Sequence, residues 1–196
     1  MHLLLPALRS HHLLALAVLG LLSTLPGTRA EVVSRWGFEN DLLDTAAAGS
    51  NADHLSGAAL NGPLNTVFVA GVIGQAVQVS EAPGNATVLT ATDSDDLDLA
   101  SEFTVEAFVY RTVEHGSDWE RFATKWFDGS TQWHWAFRGP PNRSQDLFMN
   151  GSQQINQGAV TADLPLNEWH HVAITGDPAN GLRIWQDGVV VGTSAY

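Results

Sequence analysis

The C-terminal segment from Leu166 to Tyr196 constrains the fold more than any other part of this chain. It contains two pairs of short runs in which apolar residues take alternate positions, and Asp187-Gly188 separates the last two runs. Asp-Gly supplies the two positive-φ positions that a tight β-hairpin turn needs. Strand periodicity then predicts two faces for the preceding strand, with Trp169, His171 and Ala173 opposite His170, Val172 and Ile174.

The rest of the chain beyond residue 30 has the composition of an all-β protein. Short runs rich in Val, Phe, Trp and Thr alternate with Gly, Asn, Asp and Pro, and no run at helical spacing interrupts them. Several short strands with regular turns favour a sandwich or barrel. We predict strands at Val32–Phe38, Ala76–Val79, Phe103–Tyr110, Phe122–Trp126, Trp133–Phe137, Asp146–Met149, His170–Thr175, Leu182–Gln186 and Val189–Gly192.

Four short motifs follow one another in an order that a known family shares. They read W-G-F-E from Trp36, F-T-V-E-A-F-V from Phe103, F-A-T-K-W from Phe122 with an aromatic strand after it, and W-H-H-V-A followed by D-G-V-V-V. In these motifs the chain resembles the LamG-like jelly-roll family, of the concanavalin A-like lectin/glucanase type. The resemblance covers about Val32 to Gly192 and implies an all-β fold, an antiparallel β-sandwich of the jelly-roll kind.

Aromatic residues divide between the expected core and an expected ligand site. Phe103–Tyr110 is apolar on both faces, which is typical of a strand inside a packed sheet. The resemblance implies core positions for Trp36, Trp169 and Trp185. Other rings can either pack or stack on a sugar, and we expect a ligand-binding face that includes Trp126, Trp133 and Trp135.

The sequence departs from the family after the Asp-Gly hairpin. Members usually continue into a closing strand that resembles I-D-E-V-R-I-Y-N-R-A-L, whereas this sequence reads Ser194-Ala195-Tyr196 at its end. A sandwich that lacks this strand leaves unpaired backbone along a sheet edge. We therefore expect a partial sequence without its closing strand. The alternative is an edge that another segment or chain closes.

The N-terminal residues resemble a secretory signal peptide. Residues 1–30 contain Arg9 but no acidic residue, then an apolar run over 13–22, and small residues at Thr28 and Ala30. A membrane anchor is the alternative, although a span needs about 20 apolar residues. We expect cleavage after Ala30, one domain over residues 31–196, and a secreted, extracellular or cell-surface location. The chain has no cysteine, which excludes disulfides and thiolate chemistry.

The charge balance limits the possible partners. The formal net charge is −12, and Lys125 is the only lysine. Each phosphate contact needs a cation, so we expect no nucleic-acid partner. Once the apolar signal segment is cleaved, we also expect no membrane insertion. Acidic loops can bind Ca²⁺ or can simply be solvated. The candidate calcium ligands are Asp93, Asp95 and Asp96, in a run that fails the EF-hand pattern, with a second acidic loop at Asn40, Asp41 and Asp44.

The function classes that remain are binding, hydrolysis and adhesion. Retaining glycosidases on this kind of sandwich carry E-x-D-x-E, which is absent here, and Glu102 and Glu106 lie about 13 Å apart along one strand. No serine-hydrolase, zincin or P-loop motif occurs. We expect a non-catalytic module that binds a polysaccharide, a glycan or an extracellular protein. A glycan-cleaving enzyme fragment and a structural or adhesion segment of a larger surface protein are the alternatives.

The calcium hypothesis makes a direct prediction. If Asp93, Asp95 and Asp96 bind Ca²⁺, a chelator should lower the melting temperature, because bound ligand stabilises the folded state. In Asp95→Ala the difference between chelated and calcium-loaded protein should disappear. A wild-type melting curve that does not respond to chelator would contradict calcium binding at this loop.

Overall fold

The computed structural model describes residues 32–46, 60–61, 66–79, 89–99, 102–113, 119–127, 130–139, 144–150, 152–155 and 162–196. The predicted signal peptide, residues 1–30, lies outside these ranges. The unit that holds the strands spans Val33–Tyr196. No helix in the described ranges has the length and apolar character to cross a bilayer.

Ten antiparallel strands and one 3-10 turn occur in the described part of the chain. The strands are β1 (Val67–Ala70), β2 (Gln75–Gln78), β3 (Phe103–Tyr110), β4 (Trp119–Phe127), β5 (Ser130–Arg138), β6 (Gln145–Met149), β7 (Ser152–Ile155), β8 (Trp169–Asp177), β9 (Gly181–Gln186) and β10 (Val189–Ser194). Sheet A has the order β10-β9-β8-β3, sheet B has the order β4-β5-β6-β7, and β1 pairs with β2. This confirms the predicted all-β, antiparallel class.

One apolar cluster contains inward side chains of both sheets, so the sheets pack as a sandwich. Sheet A contributes Val109, Val172, Ile174, Leu182, Ile184 and Val191, and sheet B contributes Trp133, Trp135, Phe137, Leu147, Met149 and Ile155. Trp135 is fully buried. Its Nε1 donates to Gln145 Oε1 at 3.1 Å, which satisfies its polar atom inside the core.

Asp187, of the predicted Asp187-Gly188 turn, stabilises the hairpin turn between β9 and β10. Asp187 and Gly188 both have positive φ, 51° and 80°. Asp187 Oδ1 accepts the His171 backbone N–H at 2.9 Å, and Oδ2 lies 2.8 Å from His170 Nδ1. Partial burial acts to raise the pKa of Asp187, but the bonds from His170 and His171 outweigh it and the pKa is lowered. One residue thus forms the turn and anchors it to β8.

Arg111 joins the two sheets where β3 ends. Its Nε and Nη2 donate to the Glu120 carboxylate of β4 at 2.9–3.0 Å. Its Nη1 donates to the Leu164 carbonyl at 3.0 Å, and its guanidinium lies 5.2 Å from the Phe137 ring centroid. A planar group with five donors suits this several-sided contact, which lysine could not reproduce.

Eight of the nine predicted strands are present, with small differences at their ends. The predicted strand Val32–Phe38 is wrong, since only the isolated bridge between Trp36 and Asp44 forms there. Phe38 and Asn40 have φ of 58° and 64°, a left-handed conformation that ends an extended run. Strands β1 and β7 were not predicted from the sequence, since they are four residues long and lack a strong alternating pattern.

Because the core lies between the sheets, truncation of a buried and of an exposed aliphatic side chain in sheet A should lower the free energy of unfolding by very different amounts. Ile174→Ala should lower the free energy of unfolding by about 2–5 kcal/mol, because it leaves a cavity between the sheets. Val189→Ala is the control, since Val189 is 62 % exposed and its truncation should cost within about 0.5 kcal/mol. Urea denaturation of both variants measures the difference. Equal losses would contradict this assignment of the core.

Candidate functional site

The outer face of sheet A carries five rings, which we call the aromatic face. Val172, Ile174, Leu182 and Ile184 point into the core, so the residues that alternate with them on β8 and β9 point outward. In β3 every second residue from Phe103 to Val109 packs against the core, so Phe108 and Tyr110 point outward. The aromatic face comprises Phe108, Tyr110, Trp169, His171 and Trp185.

Four of these rings form two cross-strand rows between β3 and β8. Tyr110 pairs with Trp169 at a centroid distance of 5.4 Å, and Phe108 pairs with His171 at 5.1 Å. Cross-strand aromatic pairs of this kind stabilise a sheet. Nevertheless, Phe108 and Tyr110 remain 49 % and 43 % exposed, so each row also presents ring surface to solvent.

Trp185 forms a separate platform on β9. Its backbone position opposes Ala173 of β8, and its Nε1 donates to Thr175 Oγ1 on β8 at 3.0 Å. The indole therefore reaches diagonally along the sheet instead of standing away from it. Ala173, which opposes Trp185 across the strands, is only 5 % exposed although it lies on the outer face. The hydrogen bond holds the ring in one orientation before any ligand arrives.

Polar groups lie between and beside the rings. Glu106 Oε2 is 3.3 Å from His171 Nε2, and the two side chains are 63 % and 33 % exposed. Glu106 is thus a solvent-exposed strand residue whose carboxylate also contacts His171. At the other end of β8, hydrogen bonds from Asn180 and from the Ala179 amide lower the pKa of Asp177, and the positive charge of Arg183 adds to that effect.

The structure corrects the predicted ligand-binding tryptophans. Trp133 and Trp135 are 7 % and 0 % exposed and belong to the core. Because neither ring face can reach a sugar, a stacking role for these two residues is wrong. The Trp126 side chain lies outside what the structure describes, so its role stays a prediction.

The converse assignment of Trp169 and Trp185 to the core is also wrong. Both lie on the outer face, because aliphatic residues at the alternate positions of β8 and β9 fill the inner face. Strand periodicity alone already places Trp169 on the face opposite Val172 and Ile174. Similarly, β3 has a paired strand on one side only among the described strands, although its two apolar faces predicted an interior position.

The predicted calcium loop is occupied in part by an ammonium group. Lys125 Nζ donates to the Ser94 carbonyl at 2.7 Å, lies 3.0 Å from Asp93 Oδ1, and also contacts the Asp98 carboxylate. Asp95 begins the 3-10 turn, whose Leu97 carbonyl accepts Trp133 Nε1–H at 2.9 Å. The Asp96 side chain is outside the described set, and the described residues contain no cluster of three metal-binding side chains.

Sheet B presents a different outer side, with polar groups that are buried. Asp146 is 0 % exposed and lies 2.6 Å from Arg138 Nε. His134 stacks on Phe148 with centroids 4.3 Å apart. Burial lowers the pKa of His134, and the charge of Arg121 lowers it further. Among the described residues, open aromatic surface of this extent is therefore found on sheet A.

The chain is similar in sequence to a known family over residues 83–196. The matching family model, Laminin_G_3, is described as the concanavalin A-like lectin/glucanases superfamily. Among solved structures, the chain aligns with domain 4 of AbnA, a GH43 extracellular arabinanase from Geobacillus stearothermophilus, in complex with arabinotriose. The identity is 17 %, the TM-score is 0.48, and the alignment covers 85 % of this chain and 76 % of that chain. No curated protein sequence matches.

Replacement of Lys125 should destabilise the domain. Lys125→Met removes the ammonium group that bonds the Ser94 carbonyl and contacts two carboxylates, and it should cost about 1–3 kcal/mol in the free energy of unfolding at pH 7. Arg121→Met on the same strand is the control, since Arg121 is exposed and its loss should cost within about 0.5 kcal/mol.

The stabilisation by Lys125 should also depend on pH at the alkaline end. Burial acts to lower the pKa of Lys125, but the bonds to Asp98 and Asp93 outweigh it and raise the pKa above 10.5. A raised folded-state pKa means that the stabilisation is complete below the unfolded value and is lost as the pH rises through the folded value. Denaturation curves of wild type and Lys125→Met should therefore differ at pH 7 and converge at strongly alkaline pH. A constant difference would contradict this assignment.

Proposed function

The chain belongs to the concanavalin A-like lectin/glucanases superfamily, and from this premise we propose that it is a secreted, non-catalytic recognition module that binds carbohydrate on the aromatic face. The observation that carries the proposal is the exposure of ring surface on a rigid sheet. Binding sites combine apolar or aromatic surface with a few polar groups that fix orientation. The rows at Tyr110–Trp169 and Phe108–His171, with Glu106 beside them, provide both.

The position of the carboxylates favours binding over hydrolysis. Glycoside hydrolysis needs two carboxyl groups about 5–9.5 Å apart on either side of the bond. On the described aromatic face, Glu106 lies opposite Ala173, and Asp177 follows four residues later on β8. That offset corresponds to about 13 Å. The carboxylate of Asp187, at the turn between β9 and β10, already bonds the His170 ring and the His171 backbone N–H.

Secretion is part of the proposal and rests on the sequence of residues 1–30 and on the acidic, lysine-poor composition. Calcium assistance through the loop of Asp93, Asp95 and Asp96 stays a separate hypothesis, since the proposed contacts use only the rings and the Glu106–His171 pair. An extracellular protein is the alternative ligand, and it would use the same exposed rings as anchors.

Truncation of the rings should weaken binding without unfolding the protein. Trp169→Ala and Tyr110→Ala should each lower the affinity for a bound polysaccharide at least about fivefold, since a central aromatic anchor typically contributes more than about 1 kcal/mol. Val67→Ala, in β1 and 50 % exposed, should bind as the wild type does. Affinity electrophoresis over soluble polysaccharides identifies a ligand, and calorimetry then measures the three variants.

Three outcomes would count against the proposal. Unchanged affinity in Trp169→Ala and Tyr110→Ala would place the site elsewhere. No retention by any polysaccharide, together with saturable binding to an extracellular matrix protein, would favour the protein ligand. Release of reducing ends from the bound polysaccharide would overturn the non-catalytic assignment.

A further inference from the structure

We infer that the aromatic face selects an uncharged glycan chain long enough to reach from the Tyr110–Trp169 row to Trp185. The inference rests on the proposed carbohydrate-binding function and specifies its ligand. Two independent features of sheet A carry it, namely the separation of the ring platforms and the sign of the charges between them.

The platforms are too far apart for one sugar ring to contact both. Trp185 opposes Ala173, which is four residues beyond Trp169 on the same strand. This offset amounts to about 13 Å along the strand and about 4.8 Å across to β9. The Phe108–His171 row lies between the two platforms. A ligand that uses all of this surface is therefore an extended chain that lies along the strands.

The charges on this face disfavour an acidic chain. Arg183 is the only lysine or arginine at an outward position of sheet A in the described residues, and its charge acts on Asp177. Glu106 stands near the centre of the face with its side chain 63 % exposed. The whole chain has a net charge of −12. Uronate or sulfate groups would therefore meet like charge, which opposes both encounter and binding.

The central polar pair instead matches hydroxyl groups. Glu106 Oε2 and His171 Nε2, 3.3 Å apart, provide an acceptor and a ring nitrogen that donates or accepts according to its tautomer. A sugar hydroxyl both donates and accepts one hydrogen bond or more, so it can bridge this pair. The rings on either side then contact the apolar faces of the sugars.

Matched chains test the charge preference directly. The probes are neutral polysaccharides and sulfated or carboxymethylated derivatives of the same backbones, each measured by calorimetry at 20 mM and 500 mM salt with the wild-type domain. We expect the neutral chain to bind at least about tenfold more tightly than its derivative, with less than a threefold change between the two salt concentrations. Tighter binding of an acidic derivative that weakens with salt would overturn the inference but leave the carbohydrate-binding function intact.

An oligosaccharide series tests the length requirement. In the wild type, affinity should rise at least about tenfold from the disaccharide to oligosaccharides that span both platforms, and in Trp185→Ala this gap should close to below about threefold. Val67→Ala should keep the full gap. A gap that persists in Trp185→Ala would overturn the two-platform inference. If no neutral or acidic chain binds at all, the proposed function itself fails.

Discussion

The apolar contact between the two sheets determines the rest of the structure. With no cysteine in the chain, the folded state depends on side chains such as Trp135, Ile174 and Ile184, which are fully buried in one cluster. Each strand that contributes to this cluster must turn every second residue inward. The contact therefore also decides which residues are left outside. The Arg111–Glu120 pair and the Asp187 turn hold the same arrangement at two of its margins.

The candidate site is a consequence of that arrangement on sheet A. Aliphatic residues fill the inner face of β8 and β9, and the large rings of Trp169 and Trp185 are displaced to the outside. Sheet B shows the opposite distribution on β5 and β6, with Trp133 and Trp135 inside and with Asp146 and His134 buried on its outer side. The two sheets thus place the same residue type on opposite faces, inside in sheet B and outside in sheet A. The hydrogen-bonded strands beneath the exposed rings set the spacing between those rings, and a ligand site on the sheet depends on that spacing.

Local patterns predicted the strands well, because alternation and the Asp-Gly turn act over a few residues. The bounds of β3 and the opposite faces of His170 and His171 follow from such patterns alone. Local patterns do not predict which tryptophans are buried, since an indole ring suits both a core and a binding face. Whether a tryptophan is buried depends on the size of the side chains that face it from the opposite sheet. Likewise, the contact of Lys125 with Asp93 joins positions far apart in the chain, so the acidic run by itself did not reveal the ammonium group that lies against it.

The burial of Lys125 has a consequence for the chemical reactivity of the protein. It is the sole lysine side chain, it is 9 % exposed, and carboxylates hold its ammonium. An amine must be deprotonated and accessible to attack an acylating reagent. The native fold therefore shields its one side-chain amine from acylation, while opening of the loop at Ser94 uncovers it. The rate of slow acylation at this position therefore reports how often that part of the sandwich opens.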